Sequence, residues 1–147
     1  MSPSPREVFL RLVHGVAEGN WAELPELYGE VTDVRHPMAM PESEPLTGRR
    51  VLAEHFTAPP GAAESSPRRR VVDVVVHETA DPEVIVAEFA YEFTGPDRAP
   101  AKVPCVFVMR VREGRIIESR DYIDPIRTYT ARGDLDLLLA ALHGRAS

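Results

Sequence analysis

The chain has 147 residues, 44% of them hydrophobic and 27% charged, with a formal net charge of −6. That length suits one domain with a core large enough to hold a pocket, and the composition excludes a disordered chain, a fibre or a coiled coil. The acidic balance argues against nucleic acid as the main partner, because binding phosphates requires a basic face.

No apolar stretch approaches the ~20 residues of a membrane span, and the opening Met1-Ser-Pro-Ser-Pro-Arg lacks the basic segment and apolar run of a signal peptide. The solitary Cys105 excludes an internal disulfide and a Cys-based zinc site, and it fits a reducing compartment. A cytoplasmic protein is therefore expected, with neither membrane nor nucleic acid as partner.

Ser4-Pro5-Arg6-Glu7 reads as a capping box with Pro at the first helical position. Phe9, Leu12, Val13 and Val16 follow at helical spacing, which predicts a first helix to about Gly19. Trp21, Leu24, Leu27 and Tyr28 form the stripe of a short second helix ending near Gly29, with Pro25 tolerated only near its first turn. Thr32 to His36 predicts a short strand closed by Pro37, and Met38 to Gly48 a loop. Thr47 can cap a third helix, Gly48 to Thr57, with Val51, Leu52, His55 and Phe56 on its apolar stripe. Ala58 to Pro67 reads as a mobile loop. The basic run Arg68-Arg69-Arg70 reads as a solvated strand end.

Four strands follow: Val71 to Thr79, Val84 to Phe93, Val103 to Arg112 and Arg115 to Asp124, the last two joined by a tight turn at Glu113-Gly114. Asp134 to His143 is the last helix, with Leu135, Leu138, Leu139 and Leu142 on one face. Helices segregated from a meander of strands predict an α+β fold, with helices packed on one face of a curved antiparallel sheet.

Alternate residues of a strand share a face. Ile117, Ser119, Asp121 and Ile123 form the inward set of the last strand, opposite Ile116, Glu118, Arg120 and Tyr122. Asp121 is thus either a desolvated carboxyl whose pKa rises towards neutrality or a wet Asp near a strand end. Ile85, Ala87, Phe89, Tyr91 and Phe93 line the inner face of the second strand, and Tyr91 brings a hydroxyl to it. His36 alternates inward with Val34 and Thr32. His55 shares an apolar helical stripe, either as a core residue or as a catalytic one. No His-x-x-x-His pair, glycine-rich phosphate loop or serine nucleophile elbow is present. The chemistry left is acid–base work in an apolar pocket, with no metal and no cofactor.

Three stretches carry a likeness to a known family: Ala17-Glu-Gly-Asn-Trp-Ala-Glu-Leu-Pro-Glu-Leu-Tyr28, Val34-Arg-His-Pro37 followed by Leu46-Thr-Gly-Arg49, and Val111 to Asp124. They resemble the nuclear transport factor 2-like superfamily, which includes ketosteroid isomerases and SnoaL-like polyketide cyclases. The resemblance implies a cone: a strongly bent antiparallel sheet wrapped on N-terminal helices around a deep pocket, usually in a homodimer. His36 stands where ketosteroid isomerases carry an Asp base. Of the triad of limonene-type epoxide hydrolases only Asp121 is matched. Leu52-Ala-Glu-His-Phe56 and Arg120-Asp-Tyr-Ile-Asp-Pro125 resemble the phenazine-biosynthesis A/B proteins, whose functional His and acidic residue fall on His55 and Asp121.

This resemblance implies a cofactor-independent cyclase or isomerase of bacterial specialised metabolism, such as antibiotic biosynthesis, acting on a polyketide-like small molecule. Asp121 would be the acid and His55 its relay. His36 and Tyr91 would supply polar contacts, and Trp21, Phe89 and Met38 apolar walls. A ring closure driven by folding of the substrate alone, including a [4+2] addition, is the variant mechanism. The alternatives are a phenazine-type imine-forming condensation enzyme and a non-catalytic, dimeric small-molecule-binding module.

Overall fold

The computed structural model describes residues 1–57 and 68–146; the loop expected over 58–67 lies outside them. Helix α1 (Pro5–Glu18) starts where Ser4 accepts a hydrogen bond from the Glu7 backbone N–H, and it ends at Gly19 in the left-handed conformation. Its Val8, Phe9, Leu12 and Val13 are buried.

The next segment, Trp21–Leu27, is a 3-10 helix with Pro25 inside it. It is shorter than the expected second helix, because strand β1 (Tyr28–Arg35) begins at Tyr28 and not at Thr32. Helix α2 (Arg49–His55) follows. Thr47 does not cap it. Instead the buried Thr32 hydroxyl on β1 accepts from the Gly48 backbone N–H (2.8 Å) and donates to the Leu46 carbonyl (2.9 Å), which ties the start of α2 to the sheet.

Strands β2 (Arg68–Glu78), β3 (Val84–Gly95), β4 (Arg98–Arg112) and β5 (Arg115–Ile123) form the expected meander. Glu113 and Gly114 both have positive φ (52° and 77°), as a two-residue hairpin turn with the sheet's own twist requires. The curved sheet has the order β1-β5-β4-β3-β2, and β1 lies parallel to β5 while all other pairs are antiparallel. Helix α3 (Pro125–Arg132), which periodicity did not predict, is capped by Asp124, whose carboxylate accepts from the Arg127 N–H. Helix α4 (Leu135–Ala146) closes the described chain; of its expected stripe Leu138 is buried but Leu139 is 44% exposed. No described helix is long and apolar enough to cross a membrane.

Two irregularities set which side chains face the helices. The β4–β5 register shifts between Arg110 and Val111, so Ile116, assigned to the outer face by plain alternation, is buried together with Ser119 and Asp121, and Ile117 is only partly covered. In β2 the register with β3 shifts between Val72 and Val75, where Asp73 has φ 57°. A bulge of this kind reverses the alternation, so Arg69 and Val71 before it and Val74 and Val76 after it share the inner face. The core between α1 and the sheet is aromatic: Phe9 meets Phe89 and Phe107 edge-on, with ring centroids 5.3 and 6.2 Å apart.

Candidate functional site

A cavity of about 200 Å³ opens beside this aromatic core. Every strand supplies part of its wall: Val34 from β1, Asp121 and Ile123 from β5, Phe107 from β4, Tyr91 from β3 and Arg69 from β2. Leu12 and Val16 of α1, Trp21, and Leu52, His55 and Phe56 from the α2 region cover it.

Asp121 is 6% exposed. The antiparallel register puts it opposite Phe107, and the Ser119 hydroxyl donates to its Oδ1 in a short bond. That bond favours the carboxylate, but burial favours the acid and is the larger effect, so the carboxyl pKa is pushed up to about 7.

The parallel register Val34↔Ser119 and Arg35↔Arg120, continued by one residue, sets His36 beside Asp121. His36 Nε2 lies 3.6 Å from Asp121 Oδ2. Burial, and then the neighbouring His55, lower the His36 pKa to about 4. Desolvation thus moves both partners towards their neutral forms, and between these two values the site holds a neutral acid beside a neutral imidazole. The His55 ring is 5.5 Å from that of His36 and sits edge-on to Phe56; loss of water lowers its pKa too.

The structure brings together Asp121, His36, His55, Tyr91 and Trp21 on one cavity. It separates the other two expected members. Phe89 lies one layer deeper, with its ring 5.1 Å from Tyr91 and 5.0 Å from Phe107, so it supports the wall without lining it. Met38 is 47% exposed and is not part of the lining. The imidazole next to Asp121 is that of His36, with His55 behind it.

Tyr28, Phe107 and Arg69 are among the lining residues that the sequence reading did not place at the site. Tyr28 is buried, and its phenol pKa is raised by burial and by the nearness of Asp121 and Tyr91. Its place at the end of a Trp-Leu-Leu stripe hid it, although a Tyr beside Gly29 and β-branched Val31 and Thr32 is itself a strand signal. Phe107 had no signal beyond alternation. Arg69 was concealed within a run of three arginines. Cys105, buried on the same inner face, has its thiol pushed up to about 12 mainly by burial, so at neutral pH it is an inert thiol. Among the described residues no cluster of three His, Cys, Asp or Glu is placed to hold a metal ion.

No protein of curated function matches the chain by sequence. Among solved structures it is similar to a Bacillus subtilis protein provisionally described as an isomerase, at 20% identity over 88% of this chain and 93% of that one, with a TM-score of 0.73. It is also similar to the epoxide hydrolase/cyclase-like enzyme SalBIII of pyran ring formation in the polyether salinomycin (19% identity, 81% and 89% of the chains, TM-score 0.58). A third likeness is to a phenazine biosynthesis-related protein of Pseudomonas aeruginosa (16% identity, 88% and 89%, TM-score 0.58). At these identities the likeness speaks for the fold, a ketosteroid isomerase-like α+β cone. Residues 9–119 match the SnoaL-like domain, and with the bent sheet, its helical cover and the enclosed acid in one frame, the chain belongs to the SnoaL-like family.

Proposed function

We propose that the protein is a cofactor-independent cyclase or isomerase that acts by general acid chemistry on a small, largely apolar organic molecule. A cyclase- or isomerase-type role is supported by the family and by the names of its structural neighbours. The observation that carries the finer reading is the Asp121 carboxyl, enclosed in an apolar cavity with its pKa near 7 and a neutral imidazole 3.6 Å away. A group that titrates near the working pH combines availability of the proton with willingness to give it up.

In one turnover Asp121 gives its proton to a substrate oxygen or nitrogen as the new bond forms. The free ring nitrogen of His36 takes the proton lost from carbon. Transfer from the imidazolium Nε2 to the carboxylate restores the acid, and exchange of the remaining ring proton between the two nitrogens through water restores the base, so no external reactant is consumed. Trp21, Phe56 and Tyr28 hold the apolar part of the molecule folded for closure. The proposed substrate class is polyketide-like, in bacterial specialised metabolism.

Asp121→Asn keeps the shape and removes the acid. With polyketide-like and cyclic-imine precursors as candidate substrates, kcat should fall about 10²-fold or more. In the wild type it should decline as pH rises through about 7, where Asp121 loses its proton. A loss of about tenfold or less, with a larger loss on trimming Trp21, would assign the rate to substrate folding alone. Tight binding without turnover by the wild type would make the protein a binding module.

A further inference from the structure

The basic run Arg68-Arg69-Arg70 divides in the fold. Arg70 turns outward to Glu92 (Nη2–Oε1 2.5 Å), and Arg68 is exposed. Arg69 turns inward and lines the cavity, its guanidinium carbon 5.4 Å from the centre of the Tyr91 ring and 5.0 Å from that of Phe93. Among the described residues the partly buried arginines are Arg49, Arg69 and Arg110. Arg49 donates twice to the Tyr28 carbonyl, and Arg110 reaches Asp81 and Glu83. No described carboxylate or carbonyl accepts from Arg69. Two ring faces hold its plane in place, and burial lowers its pKa, as expected of a cation short of both water and counter-charge. The charged group that acts on it is another cation, Arg132, which opposes its charge and is itself engaged by Asp134.

We propose that Arg69 anchors a carboxylate of the ligand, so that the substrate is an amphipathic acid with its charged end on Arg69 and its reacting end at Asp121. This rests on the reading that the cavity holds the substrate, and it names the class. Arg69 on β2 and Asp121 on β5 are three strands apart, and their pairings place them opposite Ala101 and Phe107 of β4, so they are displaced along the strands as well as across the sheet; the arginine side chain leans back across Tyr91. The charged and the reacting end of the ligand are then held apart across the cavity that both residues line. The charge balance agrees. While Asp121 is protonated and His36 neutral, a carboxylate on Arg69 leaves the filled cavity neutral.

The test is calorimetric titration at pH 6 with 2-naphthoate and its neutral counterpart 2-naphthamide. A charge-assisted hydrogen bond is worth about 1.5–3 kcal/mol, or roughly 10–100-fold in affinity. The acid should therefore bind the wild type at least about tenfold more tightly than the amide. Arg69→Gln should remove that preference while changing amide affinity about twofold or less. Arg69→Lys, which keeps the charge but loses the fork, should fall between. Equal affinity of acid and amide for the wild type, binding of neither, or equal loss of both in Arg69→Gln overturns the proposal. Asp121→Asn, titrated in parallel, should keep the preference for the acid even if turnover proves independent of Asp121, so the anchor and the acid mechanism fail separately.

Discussion

Asp121 is held in its cavity at the expense of the fold. In the unfolded chain an Asp titrates near 3.9, whereas in the native state burial pushes it to about 7. Above pH ~4 the unfolded state sheds the proton that the native state keeps, so the native state binds more protons and its stability falls as pH rises, until the folded group also ionises near 7. A shift of about 3 units corresponds to about 4 kcal/mol at full extent. Asn carries no such penalty. The advantage of Asp121→Asn over the wild type should therefore grow by about 2–3 kcal/mol between pH 5 and pH 8, read as the difference in urea unfolding free energy at each pH. A flat difference would mean that the native carboxyl titrates like an exposed one. The same substitution is thus expected to strengthen the protein and weaken the enzyme, the trade that a desolvated acid implies. Its presence on the inner face was legible from strand alternation, because Ser119 and Asp121 interrupt an otherwise apolar set. Its imidazole neighbour was not. His36 was legible as inward, but only the parallel register of β1 on β5 sets it next to Asp121, and no local pattern encodes which strand becomes a neighbour.

At the level of elements, α2 is positioned from outside itself. Its first turn has no side-chain cap of its own, and Gly48 stands at φ 102° with its N–H bound to Thr32 of β1. Thr32→Val keeps the shape and orphans the Gly48 N–H. The Leu46 carbonyl retains its bond from the Val34 N–H, so the loss centres on one buried donor, about 1–3 kcal/mol. Urea unfolding should show that cost, and hydrogen exchange should show faster opening at Gly48. An unchanged midpoint would mean that α2 holds its place by Leu52 packing alone. The misread elements share a cause. Capping and spacing describe a segment's own preferences, and they read α1 and three of the four meander strands to within two or three residues. Thr47 looked like a cap because its distant competitor, Thr32, lies on another element. Tyr28 looked helical because β1 is drawn out early by pairing with Ile116. Helix α3 was missed because it has little apolar period: Ala131 is its buried residue. Arg69 was lost because the run of three arginines reads as a solvated strand end, whereas β2 already begins at Arg68 and alternation then turns Arg69 inward with Val71.

For the whole molecule, the outer face of the sheet carries the partly covered Val86, Val106, Val108 and Tyr122, bordered by Glu88, Glu118, Arg110 and Arg120. Glu88 pairs with His77 at 2.7 Å and Glu118 with Arg110 at 3.4 Å within the chain. An apolar centre with both charge signs at its rim is self-complementary, the arrangement a two-fold dimer uses. We expect a homodimer through this face. Light scattering at micromolar concentration should give twice the chain mass, and Val108→Glu, at the centre of the stripe, should give the single-chain mass. A wild-type monomer would count against it.

The parallel seam between β1 and β5 also sets an order in time. Short turns join the strands of the meander, whereas β1 reaches β5 only after nearly the whole intervening chain has been gathered in, and the entropy of closing a loop grows with its length. By that cost the rungs expected to close last are those that seat His36 against Asp121. On the proposed function, a chain whose β1–β5 seam is still open would lack the pairing of His36 with Asp121, so activity is expected only from the fully closed sheet.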